Sequence, residues 1–237
     1  MRLIVTDDRP GKSNEGGVRR ERIAIQRVST TEAIAKEVTR RILDGTYPAG
    51  EYLREVDLSA QFDVSRQSLR AALARLEHLG LLQHEAHRGM RVPIVTKQDL
   101  LDIFRIRALL ETEAIRHACS HPETWLPIEH ALTTMAALPK TARWADLVEA
   151  DLSIHQRIVD GVGSARLRRA YEIIDAESRL VMVPARFHQT KAMVVREHRA
   201  LVDVIKGGDA EAAIARFHDH LWSDMDAVLA RLPDEPG

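Results

Sequence analysis

Two changes of hydrophobic rhythm predict a mainly α chain built in two parts. Residues 29–80 read as three amphipathic helices. Residues 82–94 switch to alternation, and the helical period then returns and holds to the C-terminus. The first part is therefore a three-helix head closed by a β-hairpin, the pattern of a winged helix-turn-helix. The second is an all-α antiparallel helical bundle. The expected division is a flexible N-terminal arm at 1–28, the head at 29–95 and the bundle at 96–237.

The arm is expected because Pro10, Gly11, Ser13, Asn14, Gly16 and Gly17 break any periodicity. Arg19, Arg20, Arg22 and Arg27 give it positive charge suited to touching phosphate. Ser29-x-x-Glu32 matches a capping box and starts the first helix. Ile34, Val38 and Ile42 are its buried stripe, and Gly45 and Pro48 end it.

Asp57–Gly80 reads as a short helix, a tight turn and a second helix. Ser65 is a good N-cap, because its hydroxyl can accept an orphan backbone N–H. Leu69, Ala72, Leu73, Leu76 and Leu79 share one face, and Gly80 supplies a left-handed stop. Arg66, Gln67 and Arg70 occupy the other face of the first turns. In the major groove Arg suits guanine O6/N7 and Gln suits adenine N6/N7. A buried stripe beneath bidentate donors is how a DNA-reading helix is built. The competing reading is an amphipathic hairpin with solvated arginines.

Leu82, His84 and Ala86 alternate, as do Met90, Val92 and Ile94, with His87-Arg88-Gly89 turning the chain between them. Arg88 at this tip can reach a phosphate or the minor groove. Thr96-x-x-Asp99 is a second capping box. Beyond it, helices are expected at 98–119, 124–137, 143–160, 165–182, 190–206 and 210–231. Their punctuation is His121-Pro122, Pro139, Gly161, Gly163, Pro184 and Gly207-Gly208-Asp209, and Asp209 should cap the last helix. Pro127 inside the second of them implies a late start or a kink.

Composition sets the class. Hydrophobic residues at 45% and charged residues at 29% describe a globular protein with an aliphatic core, since aromatics are only 4%. A single cysteine, Cys119, fits a reducing cytoplasm and a buried filler role. No apolar run is long enough for a membrane span. The head and arm hold 16 Lys and Arg against 13 Asp and Glu, whereas residues 96–237 hold 18 against 22. The sign of that split matches a basic DNA reader joined to an acidic partner domain.

The chain also holds 11 histidines. Asp151 and His155 lie four apart on one helix face among Leu152, Ile154, Ile158 and Val159. His198 and His220 sit beside apolar residues on two further helices. A buried carboxylate among imidazoles is costly unless a cation pairs with it, and His with Asp suits Zn, Mn, Fe or Ni ions. Surface pairing and a hydrogen-bonded core histidine are the plainer readings. Periodicity cannot choose between His218 and His220, which lie equally far from the Phe217–Leu221 line.

Leu53-x-Glu55, Val64-Ser65-Arg66-x-x-Leu69-Arg70-x-Ala72-Leu73-x-x-Leu76, Gly80-Leu81 and Arg88-Gly89 together resemble the GntR family of bacterial transcription regulators. Arg107-x-x-Leu110-Glu111, Asp151-x-x-x-His155, Glu197-His198-x-x-Leu201 and Gly208-Asp209-x-x-x-Ala213 with His220 resemble the FCD effector domain of its FadR subfamily. The six-helix expectation is similar to the VanR-like branch. The resemblance implies a homodimeric regulator, read as a repressor, that binds an inverted-repeat operator in double-stranded DNA. Asp151, His155, His198 and His220 would hold a divalent metal, and Arg107 would help bind a small carboxylate effector. Ser65, Arg66, Gln67, Ser68, Arg70, Arg88 and Gly89 match the DNA-contacting positions. Val56 stands where several relatives carry a DNA-touching Arg, and Ile154 replaces a common Phe. Dimerisation is expected through the first long bundle helix, with Leu100, Phe104 and Ile115 as candidates. The alternative function for an Asp/His₃ site is a metal-dependent hydrolase or oxygenase, and a third is a purely structural metal site.

Overall fold

A computed structural model describes residues 29–187, 189–223 and 225–235; the expected arm at 1–28 lies outside them. α1 (Thr30–Leu43) begins at the Ser29 cap, whose hydroxyl accepts from the Glu32 amide at 3.1 Å, and it buries Ile34, Val38 and Ile42 as expected. α2 (Glu55–Phe62) ends at Asp63 in the left-handed region, and α3 (Arg66–His78) starts at Ser65, which accepts from the Ser68 amide at 3.1 Å. Leu69, Ala72, Leu73 and Leu76 face the head core.

The wing is one strand richer than the sequence predicts. β2 (Gln83–Glu85) and β3 (Gly89–Arg91) form the expected hairpin, and β1 (Tyr52–Leu53) adds a third antiparallel strand in the order β1-β3-β2. Tyr52 lies opposite Arg91, and His84 opposite Met90. Gly89 is required here on two counts: its φ is +96°, and a Cβ would stand 2.9 Å from the Leu53 carbonyl oxygen.

α4 (Lys97–Ser120) starts at the full capping box of Thr96 and Asp99. A 3₁₀ turn at Pro122–Thr124 leads into α5 (Trp125–Ala137). Pro127 therefore falls in the first turn, where its missing N–H costs nothing, and no kink is needed. α6 (Trp144–Gly161), α7 (Ala165–Met182), a 3₁₀ turn at Pro184–Phe187 and α8 (Lys191–Lys206) follow. Asp209 caps α9 (Ala210–Trp222) by accepting from Ala212.

Two expectations are corrected. The helix expected to run to residue 231 stops at Trp222, and α10 (Met225–Leu229) is a separate piece. The Ser223 hydroxyl donates to the His220 carbonyl at that break, and α10 packs Met225 and Val228 against Leu100, Ile103 and Val181. Among the described residues the bundle thus has seven α-helices, one more than the VanR-like count of six. Leu100 and Ile115 are fully buried inside the protomer, so they cannot carry a dimer contact. Among the described residues, no helix is long and apolar enough to cross a membrane.

The head is seated on the bundle by two patches. Leu43 of α1 packs with Ala145, Val148 and Leu152 of α6, and Asp44 accepts from the Ala145 amide. Ala176 and Leu180 of α7 belong to the head's own core. Gly80, with φ +73°, lets α7 come close, since a Cβ there would lie 2.7 Å from Glu177 Oε1.

Candidate functional site

The bundle brings three histidines from three helices together. His155 on α6, His198 on α8 and His220 on α9 each offer a ring nitrogen, and these atoms lie within 4.8 Å of one another. The His155 and His198 Nε2 atoms are 3.2 Å apart, and those of His155 and His220 are 3.3 Å apart. Asp151 Oδ1 stands 3.2 Å from His198 Nε2. Thus Asp151 meets α8 across the bundle. His218 is exposed and near Thr112, away from the cluster, while Phe217 and Leu221 are buried.

The partners of the other ring nitrogens decide what the cluster can hold. His155 Nδ1 faces Glu111 Oε2 at 2.6 Å, and His198 Nδ1 faces the Val194 carbonyl at 2.9 Å. Burial pushes the Glu111 carboxyl up, but Arg107 and His155 outweigh it and hold the group at about 2. Glu111 is therefore an ionised, acceptor-only group, as a carbonyl is. Both imidazoles can donate from Nδ1, which turns their Nε2 atoms toward each other and makes those atoms the acceptor ends of the neutral rings. Burial also holds His198 and His220 below the usual imidazole range, and neighbouring imidazoles add to the shift in both. Neutral rings so placed beside a carboxylate repel unless a cation lies among them, and the donor set fits a divalent metal.

Glu111 has a wider role than sequence reading finds. It is fully buried, and it accepts from Arg107 Nε at 2.7 Å and from the Tyr171 hydroxyl at 2.8 Å as well as from His155. The i, i+4 spacing from Arg107 signals that pair, but nothing along the chain signals Tyr171 or His155 as partners. Burial works against the Arg107 charge, and the Glu111 carboxylate beside it more than restores it. The Arg107 guanidinium lies 5.6 Å from the Phe104 ring centroid, and its Nη2 is buried with no hydrogen-bond partner. Phe104, also a candidate for the dimer contact, lines the cavity that Arg107, Asp151 and the three histidines share.

The head presents its candidate DNA contacts together. Ser65, Arg66, Gln67 and Arg70 are exposed at the start of α3, and Ser68 is half-buried beside them. Arg70 is held by Glu55 at 2.7 Å, an ion pair the sequence reading did not include. Arg88 is exposed at the wing tip, where it donates to the Tyr52 hydroxyl at 3.1 Å and lies over that ring. Val56 is 62% exposed on α2, and its side chain has no polar group to offer DNA.

The model of the bacterial regulatory proteins of the gntR family matches residues 30–92, and the FCD domain model matches residues 102–222. The chain belongs to the GntR family and carries an FCD domain. A probable D-xylose utilization operon transcriptional repressor of Paenarthrobacter nicotinovorans is 27% identical over 207 residues, covering 86% of this chain and 91% of that repressor. The Nta operon transcriptional regulator of Aminobacter aminovorans is 43% identical over 70 residues, 30% of this chain and 33% of its own. A solved GntR transcriptional regulator from Rhodococcus sp. RHA1 superposes with a TM-score of 0.71 at 25% identity, covering 84% of this chain and 97% of that one. This GntR protein is a DNA-binding transcription regulator, and its relatives are regulators rather than enzymes. The hydrolase or oxygenase alternative is set aside on that ground.

Proposed function

We propose that this regulator works as a homodimeric repressor whose operator affinity is set by a small carboxylate bound at a metal site in the bundle. Asp151, His155, His198 and His220 would hold the ion, and the chemistry of that donor set suits Zn, Mn, Ni or Fe. When bound, the ion supplies open coordination positions for an anionic oxygen. Arg107 would meet the same carboxylate through its unpartnered Nη2. The observation that carries the reading is the set of imidazole Nε2 atoms converging beside Asp151 in one cavity with that unpartnered Arg107 Nη2.

Two helices join the site to the head. α6 carries Asp151 and His155, while its Ala145, Val148 and Leu152 pack on Leu43 of α1. α7 lines the cavity with Val181 and packs its neighbour Leu180 into the head core. Arg179 ties these helices together through a bidentate contact to Glu149, at 2.8 and 3.0 Å. An effector that binds one arrangement of α6 and α7 better than another shifts the head by that difference in affinity. On the DNA side, Arg66, Gln67 and Arg70 would read base edges. Ser65, Ser68 and the wing at Arg88-Gly89 would contact the backbone or minor groove. For the dimer we assign Ile106 and Leu109 of α4 with Ile173 of α7, which are 39%, 74% and 38% exposed.

The test is operator binding measured by fluorescence anisotropy with metal-loaded and chelator-stripped protein while small carboxylates are titrated in. The reading requires release from the metal-loaded protein at acid concentrations that leave the stripped protein bound. Equal behaviour of the two would reject the metal's part.

A further inference from the structure

The cavity that opens from the histidine cluster has a volume of about 270 Å³, and its lining mixes two chemistries. Asp151, the three histidines and Arg107 form one part. Most of the rest is apolar, with Phe104, Val181, Met182, Met193, Met225 and Val228. The other polar residues of the lining, Gln189, Arg196, Glu197 and Ser223, each have a partner within the protein. Glu197 accepts from Arg216, Arg196 is exposed and faces Glu197, and the Ser223 hydroxyl donates to the His220 carbonyl.

We infer that the effector is a monocarboxylic acid with an apolar, hydroxyl-free body, a short alkyl or single-ring aryl acid. This deepens the proposed function and rests on it. Charge is the first argument. A divalent ion and Arg107 bring three positive charges to a buried site, and Asp151 and the Glu111 carboxylate, on which three donors converge, bring two negative ones. One carboxylate on the effector closes the balance. A second would leave the balance negative, since the further cation of the lining, Arg196, is exposed and already faces Glu197, and a buried unpaired charge is costly.

The wall is the second argument. Each hydroxyl of a sugar acid or hydroxy acid would lose water against thioethers and methyl groups, at a cost of about tenfold or more in affinity apiece. Thioether side chains instead adapt their shape to an apolar surface and favour contact with aromatic rings. Size is the third. The volume falls just under the roughly 300 Å³ at which pockets for drug-sized ligands begin, which limits the body to one ring or a short chain.

The experiment uses the full chain loaded with Zn or Mn, with thermal shift, calorimetry and operator release as readouts. Phenylacetate and hexanoate are compared with gluconate, malate and citrate, and with 2-phenylethanol as the uncharged control. Phenylacetate or hexanoate should raise the melting temperature, release operator and bind at least tenfold more tightly than any hydroxylated or polycarboxylic acid or the alcohol. Met225→Gln should narrow that ratio at least fivefold. Tighter binding of gluconate, malate or citrate, with release of operator, would overturn the apolar-body inference and leave the metal-carboxylate reading standing. Equal binding of 2-phenylethanol would overturn the role of the carboxylate. Absence of binding by all of these acids to metal-loaded protein would overturn the carboxylate reading and this inference with it.

Discussion

Glu111→Gln is the substitution that separates a shared buried carboxylate from a bystander. Three donors converge on Glu111: Arg107 Nε at 2.7 Å, the Tyr171 hydroxyl at 2.8 Å and His155 Nδ1 at 2.6 Å. Glutamine keeps the size, removes the charge and replaces one acceptor oxygen with a donor. Arg107, only 2% exposed, is then a buried cation without its counter-ion. Removing one partner of a buried pair costs about 3–5 kcal/mol. That is a large part of the roughly 5–15 kcal/mol that holds a domain folded. The metal should suffer too, because His155 loses the partner that fixes its tautomer; losses of this kind are about 10–100-fold in affinity. The assay is urea unfolding followed by tryptophan fluorescence, since Trp125, Trp144 and Trp222 all lie in the bundle, together with calorimetric metal titration. Arg116→Ala is the control. It breaks an ion pair with Glu211 whose side chains are 48% and 81% exposed, and such pairs are worth about 0–1 kcal/mol. A Glu111→Gln protein within about 1 kcal/mol of the parent, with unchanged metal affinity, would refute the reasoning.

Three further outcomes are expected. Arg66→Ala and Arg70→Ala should each cost about 1–3 kcal/mol of operator affinity and relax one base position per half-site, measured by binding to operator variants; unchanged affinity in the double variant would remove these residues from the interface. Ile106→Glu combined with Leu109→Glu should shift the protein toward monomer in sedimentation velocity, because both side chains face solvent in the protomer; an intact dimer would move the contact elsewhere. The metal-free protein should lose stability as pH falls below about 6.5, because burial holds His198 and His220 below their ordinary 6.5. The unfolded chain then binds protons that the folded chain does not, so unfolding is favoured as pH falls. A melting temperature that stays flat between pH 8 and 5.5 after chelation would contradict that sign.

Local signals in the sequence carried the head and most of the bundle. Ser65, Thr96 and Asp209 cap helices because a short side-chain oxygen satisfies an orphan amide whatever the tertiary context. The stripes Ile34, Val38, Ile42 and Leu69, Ala72, Leu73, Leu76 are buried as their period requires. Features set by distant partners were not legible. β1 is two residues long and becomes a strand only by pairing with β3. Leu100 and Ile115 look like any apolar positions on a long helix until α10 and the bundle core cover them. The break after Trp222 carries no proline or glycine, so its helical period runs on past the point where the chain turns. The site shows the same division. Asp151, His155 and His198 could be nominated from helix faces and His220 only by resemblance. Glu111 meets its partners His155 and Tyr171 from 44 and 60 residues away.

The central claim is that one cavity holds both metal and effector, with the four ligands and Arg107 in different roles. It is tested most directly by elemental analysis and effector titration of operator release on three proteins side by side: the parent, His198→Ala and Arg107→Ala. The parent should carry metal and release operator. His198→Ala should lose both metal and response while still binding operator, because its Nε2 is one of the ring nitrogens that converge beside Asp151. Arg107→Ala should keep most of its metal, since a guanidinium donates only, and should lose much of its effector affinity. Full metal content and full response in His198→Ala would contradict the account.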